Sequence, residues 1–368
     1  MMLFSYRSSR VAAIIFLSEL CNGLLIQHSN THHLRRAGRR IYSSASTWEN
    51  VRCEPTWSNR LGITLTPITT GVWAAERPFY WNGIDVGGRM VVCRMADGTL
   101  LVHSPVELDN ELRAALEVGL GGGVRHVVSP NYEHLKYATQ WAEAFPQAQL
   151  HACPHLSTRM PDTFSPSSEL FTAEAKGGDT EGGVKHVSSK DALLPSVDCA
   201  WFDCEENPFT RTPFFNEVVF FHKPSKTLFC ADTWWNYPES GTPNFSLHKS
   251  PLNSKRGVGE AIDGGAGKEL KTGEVHQCSK VPVPETVFPA VSVPLGTRLW
   301  KFGMDRVYLP FYKRFMVGGR SSLRRVRYEE RVQQILDWEP EVMVPCHGDV
   351  LRGKEQCRQE IERHFLGN

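Results

Sequence analysis

The sequence lacks several features that would assign it to a class directly. Its ten cysteines are scattered without a Cys-x-x-Cys pair, which argues against a structural zinc cluster and a disulfide framework. Lys plus Arg total 41 against 40 for Asp plus Glu, so no overall attraction to nucleic acid is expected. No repeat of about 20 to 50 residues is visible. At 368 residues and 41% hydrophobic, the chain is typical of one large or two small α/β domains.

The first 48 residues have a composition of their own. They contain six arginines, no lysine and a single acidic residue, Glu19. An apolar stretch at 11–17 and 24–26 is followed by a second basic, serine-rich stretch, an order that resembles the two-part presequences of complex-plastid algae. The apolar stretch is shorter than the roughly 20 residues of a membrane-spanning helix, so no span is expected in the mature chain. We therefore predict a targeting presequence over 1–48 and a plastid location, with the mitochondrion as the alternative.

From residue 49 onwards the apolar pattern predicts one domain of strands and helices. Apolar runs bounded by turn signals predict strands at Leu61 to Thr66, Gly71 to Ala75, Arg89 to Arg94, Leu100 to His103, Val124 to Val128, Gln149 to Ala152, Glu217 to Phe221, Thr227 to Ala231 and Val342 to Val344. Helical spacing of apolar residues predicts helices at Leu108 to Leu116, Tyr137 to Phe145 and Tyr328 to Leu336. Hairpins followed by helices, twice over, indicate two mixed sheets packed face to face and covered by helices. The predicted fold class is thus α/β, a four-layer αββα sandwich.

Two stretches interrupt this pattern. The residues near 157–189 and 238–284 are rich in Gly, Ser, Thr and charge and show almost no apolar periodicity. Such composition buries too little apolar surface to form a core, so both stretches are predicted to be flexible surface insertions in the domain 49–368.

Three loops carry polar side chains directly after apolar strands: Ser129 to His134, Cys230 to Asp232, and Pro345 to Asp349. Each loop taken alone has an ordinary explanation, since Asp, Asn and Ser are common helix caps. Loops at the ends of strands are nevertheless where α/β proteins assemble their sites. The three loops are therefore the candidates for a shared functional site.

The order and the strand contexts of these loops resemble the metallo-β-lactamase superfamily, over roughly Leu61 to His364 apart from the insertions. Members of that family carry a His-x-His-x-Asp-His loop, a later Gly-Asp pair and a terminal His-Gly. A divergent branch with a domain of unknown function, found in bacteria and photosynthetic eukaryotes, is similar in its Asn-x-x-His loop and its terminal His-Gly-Asp. That branch also shares the His-x-Pro-Ser-x-Thr-Leu hairpin, which is His222 to Leu228 here.

The resemblance implies that one of the two metal sites of the family is lost. Ser129 and Asn131 stand at the positions of the first two histidines, and Arg211 stands where a middle histidine is expected. The ligands of the second metal correspond to Glu133, His134, Asp232 and His347. Two imidazoles and two carboxylates suit zinc, iron(II) or manganese(II), so the resemblance implies at most one divalent metal.

Such a metal implies a hydrolase that activates water against an ester, a lactone or a phosphoester. Glu133 and Asp232 are then the expected catalytic carboxylates, and Tyr132, Lys136 and Arg211 are expected to bind an anionic group of a small-molecule substrate. The positive charge of Lys136 and Arg211 opposes a cation, which leaves open a metal-free binding or scaffolding protein. An iron-dependent redox protein is the second alternative.

A basic stretch precedes the last predicted long helix and comprises Arg320, Arg324, Arg325 and Arg327. Arginines at this spacing are more typical of a solvated helix face than of a nucleic-acid surface. Nucleic acid is therefore not an expected partner, and the oligomeric state is left open.

Overall fold

The computed structural model describes residues 56–171, 193, 195–238, 292–318 and 322–367. The predicted presequence and most of the two predicted insertions lie outside these residues, so the structure leaves those predictions as they stand. Residues 157–171 of the first predicted insertion are described, and they contain the end of a short helix and a single 3₁₀ turn at Pro166–Ser168.

Thirteen strands of the described residues form two large sheets and a small hairpin. The six-stranded sheet has the order β1-β2-β5-β6-β7-β8, the five-stranded sheet has the order β13-β12-β11-β10-β9, and β3 pairs with β4. The strands are β1 Thr66–Thr69, β2 Val72–Arg77, β3 Tyr80–Trp81, β4 Ile84–Asp85, β5 Gly88–Arg94, β6 Leu100–His103, β7 Val124–Ser129, β8 Gln149–Ala152, β9 Val197–Trp201, β10 Val218–His222, β11 Thr227–Cys230, β12 Val342–Pro345 and β13 Leu351–Arg352.

Seven α-helical segments accompany the sheets in the described part of the chain. They are α1 Asn110–Ala114, α2 Ala138–Ala144, α3 Leu156–Arg159, α4 Leu295–Gly303, α5 Leu309–Phe311, α6 Leu323–Asp337 and α7 Lys354–Ile361. Wider π-helical turns continue α1, α4, α5 and α7 at Ala115–Gly119, Met304–Tyr308, Tyr312–Met316 and Glu362–Leu366. Side chains cap two of the helices, because Asp109 accepts from the Leu112 backbone N–H and Ser322 accepts from that of Arg325.

Alternation of side chains along the strands builds three separate cores. In β5, Val91 and Cys93 pack between the two sheets, whereas Met90 and Val92 face α1 and α2. The second sheet repeats this division, because its outward side chains such as Phe221 pack against α4, α6 and α7. The layers are therefore helix, sheet, sheet and helix, and the predicted αββα fold class is confirmed.

The first predicted strand, Leu61 to Thr66, is wrong in its position, because β1 begins only at Thr66. Gly62 adopts a φ of 59°, which turns the chain before the strand. The side-chain Nδ2 of Asn59 donates to the Ile63 carbonyl at 2.8 Å, so that carbonyl is occupied by a local bond. Within this segment Ile63 makes only an isolated bridge and Leu65 packs into the core that faces α1 and α2, so the segment is not a strand of either large sheet.

Two parallel strand pairs position the candidate site. β6 pairs in parallel with β7 in the first sheet, and β11 pairs in parallel with β12 in the second. Parallel strands end at the same edge of a sheet, so the three polar loops of the sequence meet along one edge of the sandwich. Among the described residues, no helix combines the length and apolar character needed to cross a bilayer.

Candidate metal centre

His134, Asp232 and His347 come together at this edge of the sandwich. Each offers one ligand atom, and the three atoms lie within 4.8 Å of one another. His134 Nε2 lies 3.2 Å from Asp232 Oδ2, and His347 Nε2 lies 3.4 Å from Asp232 Oδ1. The two imidazoles thus face the two oxygens of one carboxylate.

The Nδ1 atom of each histidine is hydrogen-bonded on the side of the ring away from Asp232. His134 Nδ1 lies 2.5 Å from the hydroxyl of Ser104, the residue that follows β6. His347 Nδ1 donates to the Gly87 carbonyl at 2.6 Å. Histidines that bind metal are oriented in this way, with the distal nitrogen hydrogen-bonded so that the ligand nitrogen is presented in a fixed direction.

Gly348 fixes the loop that carries His347. Its φ is 96°, and a Cβ at this position would lie 2.2 Å from the backbone of Asn236. The close approach allows the Asn236 backbone N–H to donate to the His347 carbonyl at 3.0 Å. Glycine is therefore required here for steric reasons, which gives the terminal His-Gly pair a structural explanation.

Burial and charge act in opposite directions on the pKa values of Asp232 and His134. Burial disfavours the charged form of Asp232, but the imidazoles of His134 and His347 lower the pKa of its carboxyl well below the usual range. Burial opposes the charged form of His134 as well, and Asp232 nevertheless raises the pKa of this imidazole well above its ordinary value. The metal-free site therefore holds a proton on His134, and a bound cation would compete with that proton.

Asn131 occupies one of the positions where a family ligand is missing. Its Nδ2 donates to Asp232 Oδ2 at 2.7 Å and to Glu217 Oε2 at 3.2 Å. Its Oδ1 accepts from the backbone N–H groups of Glu133 and His134, both at 3.0 Å. The amide thus links the two carboxylates and shapes the loop of His134. Ser129, at the other position, is buried, and its hydroxyl has no hydrogen-bond partner among the described residues.

Glu217 is a site residue that the sequence analysis missed. Its side chain is fully buried and accepts from the backbone N–H groups of Ala231, Asp232 and Thr233, at 2.7, 2.7 and 2.9 Å. Burial, together with the charge of Asp232, raises the pKa of Glu217. Its role is to hold the loop that presents Asp232. The signal available in the sequence is an acidic residue immediately before an apolar strand.

A pocket with about 1080 Å³ of free space, including its mouth, opens onto the three ligands. The residues that line it are mostly apolar and aromatic, among them Phe79, Trp81, Trp235, Tyr237, Trp300 and Tyr308. Glu133 and Lys136 also line the pocket. Burial and repulsion from Asp232 raise the pKa of Glu133 to about 7. Lys136 Nζ lies 5.5 Å from the ring centre of Phe79.

Only some of the predicted site residues lie at the metal centre or in its pocket. Of the four predicted metal ligands, three form the cluster, and Glu133 lies in the pocket wall outside that group. Lys136 is in the pocket, whereas two of the predicted substrate-binding residues lie elsewhere. The hydroxyl of Tyr132 donates to the Pro154 carbonyl at 3.3 Å and its ring packs in the core between the sheets. The side chain of Arg211 is 73% exposed and pairs with Glu206 at 3.0 Å.

The donor set fits a single divalent metal ion. Two imidazole nitrogens and one carboxylate oxygen are ligands that zinc, iron(II) and manganese(II) accept. Three protein ligands that face an open pocket leave a position for water or substrate, which is the arrangement of catalytic rather than structural sites. Arg89 also lines the pocket, but its charge is paired with Glu76 at 3.2 Å, so it adds little repulsion.

Comparisons with known proteins identify a family and several solved structures of low similarity. Residues 70–261, slightly more than half of the chain, match the model of the family described as Domain of unknown function (DUF4336). A comparison with curated proteins finds no match. Among solved structures, the chain is similar to a metallo-beta-lactamase from Pontibacter korlensis, at 11% identity and a TM-score of 0.39, over 81% of this chain and 98% of that one.

Two further structures have the same level of similarity. The metallo-beta-lactamase FIM-1 from Pseudomonas aeruginosa in its mono-zinc form is 13% identical, with a TM-score of 0.37 over 86% of this chain and 99% of that one. The chemotaxis sensor ODP, solved as a peroxy diiron species, is 10% identical, with a TM-score of 0.39 over 81% of this chain and 92% of that one. At these scores the similarity says nothing about the function of this chain. The function is inferred from the geometry of the site.

Proposed function

The chain belongs to the DUF4336 family and has the αββα fold of metallo-β-lactamase-like proteins, and from that premise we propose that it is a hydrolase that uses one divalent metal ion. The observation that carries the proposal is the orientation of the two histidines. Ser104 and the Gly87 carbonyl hold the Nδ1 atoms of His134 and His347, so both Nε2 atoms point at Asp232. A pair of largely buried imidazoles anchored in this way is the arrangement of metal-binding histidines.

The roles of the residues follow from their places in the pocket. His134, Asp232 and His347 would hold the ion, which would supply a water molecule of lowered pKa and a Lewis acid for a carbonyl or phosphoryl oxygen. Glu133 lines the same pocket, and we assign to its carboxylate the acceptance of a proton from that water. Lys136 is assigned to an anionic group of the substrate. The substrate classes in this proposal are esters, lactones and phosphoesters.

One observation favours a second candidate, a metal-free binding protein of the same fold. The Nδ2 group of Asn131 already donates to Asp232 and Glu217, so an amide replaces a cation between two carboxylates. This satisfies part of the negative charge of the site without metal. The two candidates differ in what a chelator does, because only the hydrolase loses a component that stabilises its fold.

Elemental analysis of the full chain, purified without chelator, tests the proposal. We expect about one equivalent of zinc, iron or manganese in the wild type and none in His134→Ala or His347→Ala, because two ligands bind a divalent ion far more weakly than three. His155→Asn is the matched control, since His155 is exposed and has a φ of 64°, which asparagine tolerates.

The metal-loaded wild type is then assayed with an aryl ester, a lactone and an aryl phosphodiester, beside the same two alanine variants. Hydrolysis that disappears in both variants and survives in His155→Asn supports the hydrolase. Absence of metal from the wild type would instead favour the binding protein. Iron with a metal-dependent oxidation signal and no hydrolysis would favour the redox alternative.

A further inference from the structure

One side of α4 exposes large apolar and basic side chains. Leu295, Leu299 and Phe302 are 68%, 63% and 62% exposed, and their spacing of four and three residues puts them on one face of the helix. Arg298 and Arg306 are also exposed at the same spacing. Within the described chain, neither arginine is part of an ion pair. The surface thus combines unneutralised positive charge with apolar area.

The opposite side of the same helical segment is already used by the fold. Trp300, Met304 and Tyr308 are buried and line the pocket above the candidate metal centre. These three residues account for the core contacts of the segment. The exposed leucines and phenylalanine therefore add nothing to the core, and their exposure calls for a partner of another kind.

The hairpin of β3 and β4 supports the helix from its buried side. The ring of Trp81 packs against that of Trp300 with 4.8 Å between ring centres, and Thr297 Oγ1 donates to the Asp85 carbonyl at 2.6 Å. These contacts hold α4 in place, so its exposed side chains form a fixed surface. We call Leu295, Arg298, Leu299, Phe302 and Arg306 the α4 face.

Charge identifies the kind of partner. Arg298 and Arg306 are the charged residues of the α4 face, and the single acidic residue of 295–316, Asp305, is paired with Lys301 at 2.8 Å. Leu and Phe beside arginines are the combination with which peripheral helices lie in the interface of an anionic bilayer. We propose that the α4 face docks the protein on an anionic lipid surface. The elements that line the pocket on their inner side thus carry the lipid contacts on their outer side.

Sedimentation of the full chain with phosphatidylcholine vesicles, with and without phosphatidylglycerol, tests the docking. We expect binding that requires phosphatidylglycerol and weakens with salt. Leu299→Ser combined with Phe302→Ser should weaken binding by at least about tenfold, since each removes an apolar side chain from the interface. Arg298→Gln and Arg306→Gln should each weaken it by about fivefold.

Val118→Ser is the matched control, because Val118 is 79% exposed on the helix layer that covers the other sheet and should leave vesicle binding unchanged. Far-UV circular dichroism and thermal melts of each variant establish that the fold is intact. The readout needs neither bound metal nor hydrolysis, so its failure is separate from a failure of the proposed function.

Three results would overturn the proposal. The first is that the wild-type chain does not bind vesicles. This result is expected if residues 239–291 or another part of the protein cover the α4 face. The second is undiminished binding by the Leu299→Ser, Phe302→Ser variant, which would assign the lipid contact to the basic first 48 residues. The third is a wild-type dimer in light scattering that the same variant converts to a monomer, which would make the face an interface between two copies of the chain.

Discussion

Asn131 donates a hydrogen bond to Oδ2 of Asp232 at 2.7 Å, across 101 residues of sequence. The same oxygen faces the Nε2 atom of His134 at 3.2 Å. The amide therefore competes with a metal ion for one oxygen of the central carboxylate, and it also supplies the acceptor that fixes the loop of His134. Because its Nδ2 group donates to Asp232 and Glu217, Asn131 does not act as a metal ligand in this arrangement.

Replacing the amide by a carboxylate should strengthen the dependence of the fold on metal. Asn131→Asp puts a third acid within hydrogen-bonding distance of Asp232 and Glu217, so repulsion should lower the thermal midpoint of the metal-free chain. Zinc should then raise that midpoint by more than it does in the wild type. Thermal melts with and without zinc measure the difference. An equal zinc shift in both proteins would contradict this role of Asn131, and Asn82→Asp, at an exposed position, is the control.

The steric requirement at Gly348 predicts a large effect for a single methyl group. Gly348→Ala should destabilise the fold by about 2 to 4 kcal/mol, because the new Cβ meets the Asn236 backbone and φ is positive. Gly98→Ala shares the positive φ but has no atom within 4 Å of the new Cβ, so about 1 kcal/mol is expected there. Urea unfolding measures both. Similar losses would mean that the close approach at Gly348 is relieved by movement of the loop.

Glu205 predicts a pH dependence of stability. Burial raises the pKa of this carboxyl to about 8, against hydrogen bonds from the Asn216 and Phe215 backbones that lower it. The folded chain therefore keeps a proton that the unfolded chain loses near pH 4.5, so the stabilising contribution is complete below that pH. It is lost as the pH rises through about 8.

The free energy of unfolding of the wild type should therefore fall, relative to that of Glu205→Gln, between about pH 5 and pH 8. Glutamine keeps an acceptor for the Asn216 N–H but carries no charge at any pH. Urea titrations at a series of pH values measure the difference between the two proteins. Parallel curves over this range would show that the carboxylate is already ionised in the fold.

Lys136 lies in the pocket and Arg211 lies at the surface, so variants of the two residues show where an anionic substrate binds. With an anionic phosphodiester, Lys136→Met should raise KM by about tenfold and leave kcat within about twofold, because it removes binding rather than chemistry. Arg211→Met should leave both constants unchanged, since Arg211 is exposed and paired with Glu206. Steady-state kinetics of the metal-loaded proteins distinguish the two. The reverse pattern would place the anion outside the pocket, and this prediction applies only if the hydrolase proposal holds.

The presequence over residues 1–48 and the plastid location remain proposals that rest on composition. A fluorescent fusion of these residues, compared with one in which Arg35, Arg36, Arg39 and Arg40 are replaced by glutamine, addresses both. The flexible insertions are likewise predictions, since only 157–171 and residue 238 of the two segments are described.

Local patterns in the sequence determined most of the longer strands and the loops that carry the candidate ligands, but not β9 or the two-residue strands β3, β4 and β13. Alternation of apolar residues is a property of neighbours in the chain, so strands such as Leu100–His103 were predictable to the residue. The gathering of His134, Asp232 and His347 was also predictable, because the strands that precede them end at a common edge.

Only the tertiary structure decided which polar side chains meet and which surfaces stay exposed. The bonds of Asn131 to Glu217 and Asp232 depend on how the two sheets pack, across 86 and 101 residues of sequence. The bonds of Glu217 to the Asp232 loop span only 15 residues but depend on the pairing of β10 with β11. The same packing sends Tyr132 into the core, leaves Arg211 at the surface and leaves the α4 face uncovered by the described residues. No local pattern encodes these outcomes, because each depends on the relative placement of segments that are distant in the chain.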